Sequence, residues 1–507
     1  MTTRTDAPAA DAVAHLRDLR EHARGLGGPE RVARQHARGL LTARERIDLL
    51  LDPGSELPLG TFLTSGVPGE EARTLGNGLL TGFGEIDGRP VGYYASDATV
   101  KGGSLGGGNM LKKTRIHRIC EQAGLPLFAL IQGGGGRITD VLSSRFAGVP
   151  GGELGERLAF PNRWNHFAAV LGNYYAPWDA ADADFCIMTQ NSNLSIASPP
   201  VVQEASGEFV SPFDIGGAEI QGRVTGQIDA VVPDDAAAIA LLRRTFSYVP
   251  GNAWEPPPVV RCGDPVDRRE PALREIIPDR LNRAYDVRKI IRLVVDRDSF
   301  IEWTPGYAPN LVAGIARLDG HAVAIIANQP SRKAGSLDVP AVNKIDRMLR
   351  ACDAFRLPLL SFVDVPGVIP NVEQEHHRLL TVIYDMAIRR IRVPVPKIAI
   401  SLRKGYGYAY PGMSASDYEW HTIAWPSSQI MFMGPEPGVR VAFRREMEAA
   451  PDPQAYLEER AETFRERGEP WIGARLGYLD DVIDPADTRP MLARILEICR
   501  RRMRPYR

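Results

Sequence analysis

The chain has 507 residues, 44% hydrophobic and 24% charged, enough apolar material for more than one globular core. Its 61 Lys and Arg stand against 62 Asp and Glu, and a formal charge of −1 offers no field for nucleic acid or an anionic membrane surface. Five scattered cysteines without a CxxC argue against a zinc ribbon and a disulfide framework, no secretory signal opens the chain, and no apolar run reaches the roughly 18 residues of a membrane span, so a cytoplasmic protein is expected.

Residues 1–38 are rich in Ala and Arg and are expected as a helical or extended segment. Thr42-Ala-Arg-Glu45 has capping-box spacing ahead of Ile47, Leu49, Leu50 and Leu51, and Asp52-Pro53-Gly54 stops the helix. A strand pattern over 78–86, a turn at Asp87-Gly88 and a second strand over 91–96 predict a hairpin. A helix near 109–122 and a short buried strand over 125–131 follow.

This order is repeated. Asp87-Gly88 recurs as Asp319-Gly320, Lys101-x-Gly-Ser-Leu105 as Lys333-x-Gly-Ser-Leu337, Cys120 as Cys352 and Leu125-Pro-Leu127 as Leu357-Pro-Leu359, each pair 232 residues apart. A constant offset of this length is the mark of a duplicated domain and not of a solenoid. The second copy therefore predicts strands over 312–318 and 323–327, a helix over 341–355 and a buried strand over 357–363. Each half begins β-β-α-β, an α/β layer. The Pro-rich stretch 250–258, polar to about 270, reads as the linker, with domains over 39–260 and 261–507.

Two glycine-bearing segments follow predicted buried strands. The first is Ile131-Gln-Gly-Gly-Gly-Gly-Arg137, where missing Cβ atoms let backbone N–H groups approach a ligand and a helix start adds a favourable dipole for negative charge. The second is Leu402-Arg-Lys-Gly-Tyr-Gly-Tyr-Ala-Tyr410, where the amides of Tyr408 and Ala409 can point into a cleft. Taken alone, each also reads as a tight turn. Lys101, Lys112, Lys113 and Arg115 form a local basic group that is either a phosphate contact or a solvated helix face. His376 and His377 are neighbours that point apart, which argues against a shared metal.

At these residues the chain resembles the carboxyltransferase (β) subunits of biotin-dependent acyl-CoA carboxylases of the propionyl-CoA and methylcrotonyl-CoA kind. The resemblance runs over about residues 40–445. It is carried by Leu41-Thr-Ala-Arg-Glu-Arg-Ile-Asp-Leu-Leu-Leu-Asp-Pro-Gly-Ser55, Asp97-Ala-Thr-Val-Lys-Gly-Gly103, Gly216-Gly217-Ala218, Tyr307-Ala-Pro-Asn310, Ala327-Asn-Gln-Pro330, Phe362-Val-Asp-Val-Pro-Gly367 and Ala424-Trp-Pro426. It implies two tandem crotonase-like β-β-α spiral domains, a trimer of dimers, and a reaction that moves a carboxyl group between carboxybiotin on a partner and an acyl-CoA. The family's Gly-Gly-Ala-Arg falls on Gly134-Gly135-Gly136-Arg137, and its Ala-Tyr-Gly-Gly-Ala-Tyr on Gly405-Tyr406-Gly407-Tyr408-Ala409-Tyr410.

By that resemblance the amides of Gly135 and Gly136, with those of Tyr408 and Ala409, do the catalytic work. Gly134, Arg137, Lys101, Gly102, Gly103, Tyr175 and Gly407 border the substrate. The expected ligand is a coenzyme A thioester, biotin comes on a biotin carboxylase or carrier partner, and no metal is expected. Preorganised amides act where charge develops and need no charged side chain.

The chain departs from the family in four places. Asn173-Tyr174-Tyr175-Ala176 stands where a Gly-rich loop is usual, a segment at 145–163 is longer, His376–Tyr384 replaces a Gly-rich stretch after Gln374-Glu375, and Tyr408 replaces a glycine. These changes leave open a biotin-independent decarboxylase or hydrolase on the same scaffold, or a non-catalytic subunit. An enoyl-CoA hydratase is disfavoured because no Glu adjoins either glycine loop, the nearest acid to the first being Asp140.

Overall fold

The computed structural model describes residues 9–65, 69–141, 164–260, 262–281, 283–414 and 419–500. The chain forms two compact units, one of residues 1–247 with 251–254 and the other of 248–250 with 255–507.

The first unit opens with helices α1 (Ala9–Arg24) and α2 (Pro29–His36), then α3 (Ala43–Leu50). The capping box of α3 is present: Glu45 N–H donates to Thr42 Oγ1 at 3.3 Å and Thr42 N–H to Glu45 Oε2 at 2.7 Å. The sheet contains β1 (Leu57–Leu59), β2 (Leu79–Ile86), β3 (Arg89–Ser96), β4 (Leu127–Gly133), β5 (His166–Tyr174), β6 (Phe185–Thr189) and β8 (Ala230–Val232) in that spatial order, with β7 (Asn193–Leu194) on β5. Strands β1 to β3 pair antiparallel and β3 onward parallel. The β2–β3 turn holds Asp87 at φ 52° and Gly88 at φ 73°, the left-handed pair that suits a two-residue hairpin. Helix α4 (Gly107–Ala123) crosses from β3 to β4, α5 (Ile138–Val141) and α6 (Trp178–Ala181) follow β4 and β5, and α7 (Asp235–Phe246) closes the unit.

The second unit repeats the plan. Its helix α8 (Val287–Val294) precedes β9 (Ile301–Trp303), β10 (Leu311–Leu318), β11 (His321–Asn328), β12 (Leu359–Val365), β13 (Lys397–Tyr406), β14 (His421–Ala424) and β16 (Asp481–Val482), with β15 (Gln429–Met431) on β13. Helix α9 (Val339–Phe355) lies 232 residues after α4 at both ends, and the unit adds α10 (Leu379–Arg392), α11 (Ala409–Met413) and α12 (Thr488–Arg500). The parallel ladders slip at the same place in both units, between Ile131 and Gly133 on β4 and between Val363 and Val365 on β12. An irregularity of this kind lifts a strand end out of the ladder and re-aims the residues beyond it.

Every residue of β4 and β12 is buried. Each fully buried Leu, Ile or Phe on them contributes about 1.5–3 kcal/mol of hydrophobic stabilisation. The cores hold a duplicated polar device as well. Lys112 Nζ donates to the carbonyls of Gly76 and Leu79 at 2.9 and 2.6 Å, and Lys344 Nζ, 232 residues on, to those of Thr304, Tyr307 and Leu311 at 2.8, 2.9 and 2.8 Å. Both lysines satisfy carbonyls of irregular backbone leading into a hairpin. Lys112 is thus not a phosphate contact, and neither is Lys113, which is buried against Asp179. Among the described residues, no helix is long and apolar enough to cross a membrane.

Candidate active site

Strand β4 ends in the four glycines. Gly133 has φ 156° and Gly135 φ 79°, and a Cβ on Gly135 would lie 2.8 Å from the Tyr175 carbonyl, so both conformation and space demand glycine there. Gly134 N–H is committed to Gly102 O at 3.2 Å, while Leu105 bridges the bend, accepting from Arg137 N–H at 2.7 Å and donating to Gly135 O at 2.8 Å. The N–H groups of Gly135 and Gly136 have no acceptor among the described residues. They are the free donors of the bend.

The flanking residues hold that shape. Gly102 and Gly103 take φ 65° and 66°, and a Cβ on Gly103 would sit 2.6 Å from Gln132 O. Arg137 is buried, and its guanidinium donates to Asn77 Oδ1 at 2.9 Å, Ser104 O at 3.0 Å and Asp140 at 3.2 Å. Its charge is therefore spent on fixing the bend. The predicted residues Gly134, Gly135, Gly136, Arg137, Lys101, Gly102, Gly103 and Tyr175 all gather in this part of the first unit. The longer segment at 145–163 lies outside the described residues.

A cleft of about 680 Å³ opens beside the bend, lined by Gly133, Gly134, Gly102 and Tyr175 together with Arg31, Arg34, Arg38, Arg73 and Lys101. Among the described residues no carboxylate lines it. Lys101 pairs with Glu70 at 2.5 Å, and Arg31 reaches Thr99 O at 3.4 Å, whereas Arg34, Arg38 and Arg73 have no ion pair among the described residues. Burial raises the Tyr175 phenol, which stays protonated and able to donate. A larger cleft of about 850 Å³ in the same unit mixes Arg20, Arg24 and Arg44 with Asp48, Glu56 and Asp97, so it selects no anion. The cations of α2 and the turn after it were missed in the sequence, although Arg31 and Arg34 stand at i and i+3 of one helix face and Arg38 follows the helix.

The second unit has its own free amides. Gly407, at φ 59°, donates to Met431 O at 3.0 Å, and Tyr410 N–H to Gly407 O at 3.1 Å. Between them the N–H groups of Tyr408 and Ala409, at the first turn of α11, find no acceptor among the described residues. Tyr408 is 78% exposed, so its phenol packs against little of its own chain. Tyr406 turns inward instead and donates to Gln429 Oε1 at 2.8 Å. The stretch after His377 forms α10, with Leu379 and Met386 buried but Leu380 and Tyr384 on the surface. Among the described residues no group of three or more His, Cys, Asp or Glu is placed to hold a metal.

Paired free amides beyond strand ends, here after β4 in the first unit and after β13 in the second, are donors for a carbonyl oxygen that gains negative charge. The model of the carboxyl transferase domain matches residues 34–507. The chain belongs to the carboxyl transferase family.

Within that family it is 36% identical over 496 residues to the carboxyltransferase subunit of a propionyl-CoA carboxylase from Haloferax mediterranei, covering 95% of each chain. It is 36% identical over 510 residues to the methylmalonyl-CoA carboxyltransferase 12S subunit of Propionibacterium freudenreichii subsp. shermanii, covering 97% of this chain and 95% of that one. The crystal structure of a transcarboxylase 12S hexamer with methylmalonyl-CoA bound superposes with a TM-score of 0.91 at 34% identity, over 98% of this chain and 96% of that one. The two tandem units are crotonase-like domains, and this carboxyl transferase is an enzyme of the acyl-CoA carboxylase β-subunit type.

Proposed function

We propose that the protein transfers a carboxyl group between carboxybiotin, carried on a partner polypeptide, and the acyl group of an acyl-CoA. The observation that carries this reading is, among the described residues, a pair of amides without acceptors beside a cationic cleft without carboxylates. Coenzyme A presents several phosphate charges, and Arg34, Arg38 and Arg73 offer unpaired guanidinium groups to receive them. The thioester carbonyl then lies against Gly135 and Gly136 N–H, which stabilise the negative oxygen as the α-carbon becomes an enolate equivalent. In the second unit the free amides of Tyr408 and Ala409 fit a neutral carbonyl oxygen, as a ureido group has, and the exposed Tyr408 phenol stands at that rim. Carboxybiotin supplies the activated carboxyl group when bound. The family and the relatives' names favour this over a biotin-independent decarboxylase or hydrolase.

On the same reading the protein is cytoplasmic and a trimer of dimers, and the hexamer assembly of the 12S relative supports the oligomer. The test is carboxyl transfer from carboxylated biotin carrier to propionyl-CoA by the purified chain. Transfer is expected, and the Arg34→Ala/Arg38→Ala double variant should raise KM for the acyl-CoA about tenfold, the loss of roughly one charge-assisted contact, with kcat little changed. Absence of transfer across short acyl-CoA substrates with an active carrier would overturn the proposal.

A further inference from the structure

Behind the turn that joins β5 to α6, the first unit buries a carboxylate among groups that the second unit lacks. Asp179 accepts from Lys113 Nζ at 2.6 Å on each oxygen, from the Tyr94 hydroxyl at 2.7 Å and from the Tyr174 hydroxyl, and the Lys113 and Asp179 side chains are only 4% and 6% exposed. The registers Gly133↔Tyr174 and Val365↔Gly405 match Tyr174 with Gly405, and the helix starts match Asp179 with Tyr410. With Ile326 and Ile345 in place of Tyr94 and Lys113, the second unit builds the same layer without a charge. The fold as such therefore does not require the ion pair, and an apolar replacement would avoid its desolvation cost.

The two units anchor the same helix turn by reciprocal means. In the second, the second residue of α11, Tyr410, lays its ring on Gly405, so closely that a Cβ there would meet the ring at 2.6 Å. In the first, the strand end is the bulky Tyr174, and the second residue of α6 is an aspartate that takes the Tyr174 proton as acceptor. What precedes each helix also differs. Tyr408 and Ala409 present two free amides, whereas the matching residues are Pro177, which has no N–H, and Trp178.

We propose that Asp179, clamped by Lys113, Tyr94 and Tyr174, is a positioning residue for the acyl thioester: by holding Tyr174 it fixes the backbone of Tyr175, which donates to Gly133 O at 3.3 Å and closes on Gly135, and so keeps the Gly135 and Gly136 amides aimed at the enolate oxygen. The adjoining Tyr175 carbonyl already closes on Gly135, within 2.8 Å of where its Cβ would be, so the turn and the bend share one rim. This inference rests on the carboxyltransferase reading.

Two variants test it: Tyr174→Phe, which removes one hydroxyl from Asp179, and Lys113→Met/Asp179→Leu, which removes both charges together. Three quantities are read: kcat for carboxyl transfer, Kd for propionyl-CoA, and hydrogen exchange of the peptide spanning residues 173–182. Misplacing a catalytic donor by about 1 Å costs about a hundredfold, so the double variant should lose about that much kcat and Tyr174→Phe about three- to tenfold, with Kd within about twofold. Exchange over 173–182 should quicken in both. Unchanged kcat or unchanged exchange in a folded double variant overturns the proposal, and Tyr174→Phe alone decides if the double variant does not fold. A wild-type protein that transfers no carboxyl group refutes the functional reading instead, while Kd and exchange still report whether Asp179 pins the turn.

Discussion

His117 shows how much a single side chain can cost in this fold. Its imidazole is buried between the rings of Tyr94 and His166, at 6.0 and 5.7 Å between centroids, and neither nitrogen has a hydrogen-bond partner among the described residues. Burial, helped by the neighbouring His166 ring and the Lys113 ammonium, pushes its pKa down to about 3. The folded value thus lies below the unfolded one of about 6.5, so the unfolded chain takes up a proton first and stability is lost as pH falls from about 6.5 towards 3. The matching residue of the second unit is Leu349. His117→Leu should therefore raise stability at pH 7 by about 1–3 kcal/mol, the cost of an unsatisfied buried polar group, and flatten the loss between pH 6.5 and 4. Urea titrations at pH 7, 5 and 4 check both; an equal or steeper acid slope in the variant would refute the assignment.

At the scale of elements, strand ends decide the chemistry. The ladder slips after β4 and β12 and the short helices after β5 and β13 turn backbone amides outward, and each such turn has a specific support. For α11 that support is the gap at Gly405. Gly405→Ala should displace the Tyr410 ring and tilt the amides of Tyr408 and Ala409, cutting carboxyl transfer about a hundredfold while leaving the affinity of the first unit for acyl-CoA unchanged. Calorimetric titration with propionyl-CoA beside steady-state transfer separates the two, and a parallel loss of affinity would contradict the division of labour. The glycine bends were legible as turns because backbone at positive φ, as at Gly135 and Gly407, calls for glycine, and as donor sites only through the resemblance. The Lys113–Asp179 clamp was not, since residues 66 positions apart carry no periodic signal, and Lys113 read as part of a basic surface.

Across the whole molecule, duplication means that one plan was read twice, and the differences between copies mark function. Six copies of a 55.6 kDa chain are expected in solution, and light scattering of the purified protein checks that mass. The cleft with Arg34, Arg38 and Arg73 further predicts that acyl-CoA affinity falls steeply with added salt, by the screening of exposed charges. The sequence by itself determined the duplicated β-β-α-β plan, the capped helix at Thr42 and the two glycine bends, because hydrophobic period, capping spacing and the need for positive φ are local properties. Only the tertiary structure decided that Lys112 and Lys344 serve backbone carbonyls, that the helix at residues 29–36 brings Arg31 and Arg34 to the glycine bend, and that Pro177 and Tyr408 hold matching places. Those facts depend on which segments pack together and in what register, and burial alone turns a lysine from a phosphate contact into a structural clamp.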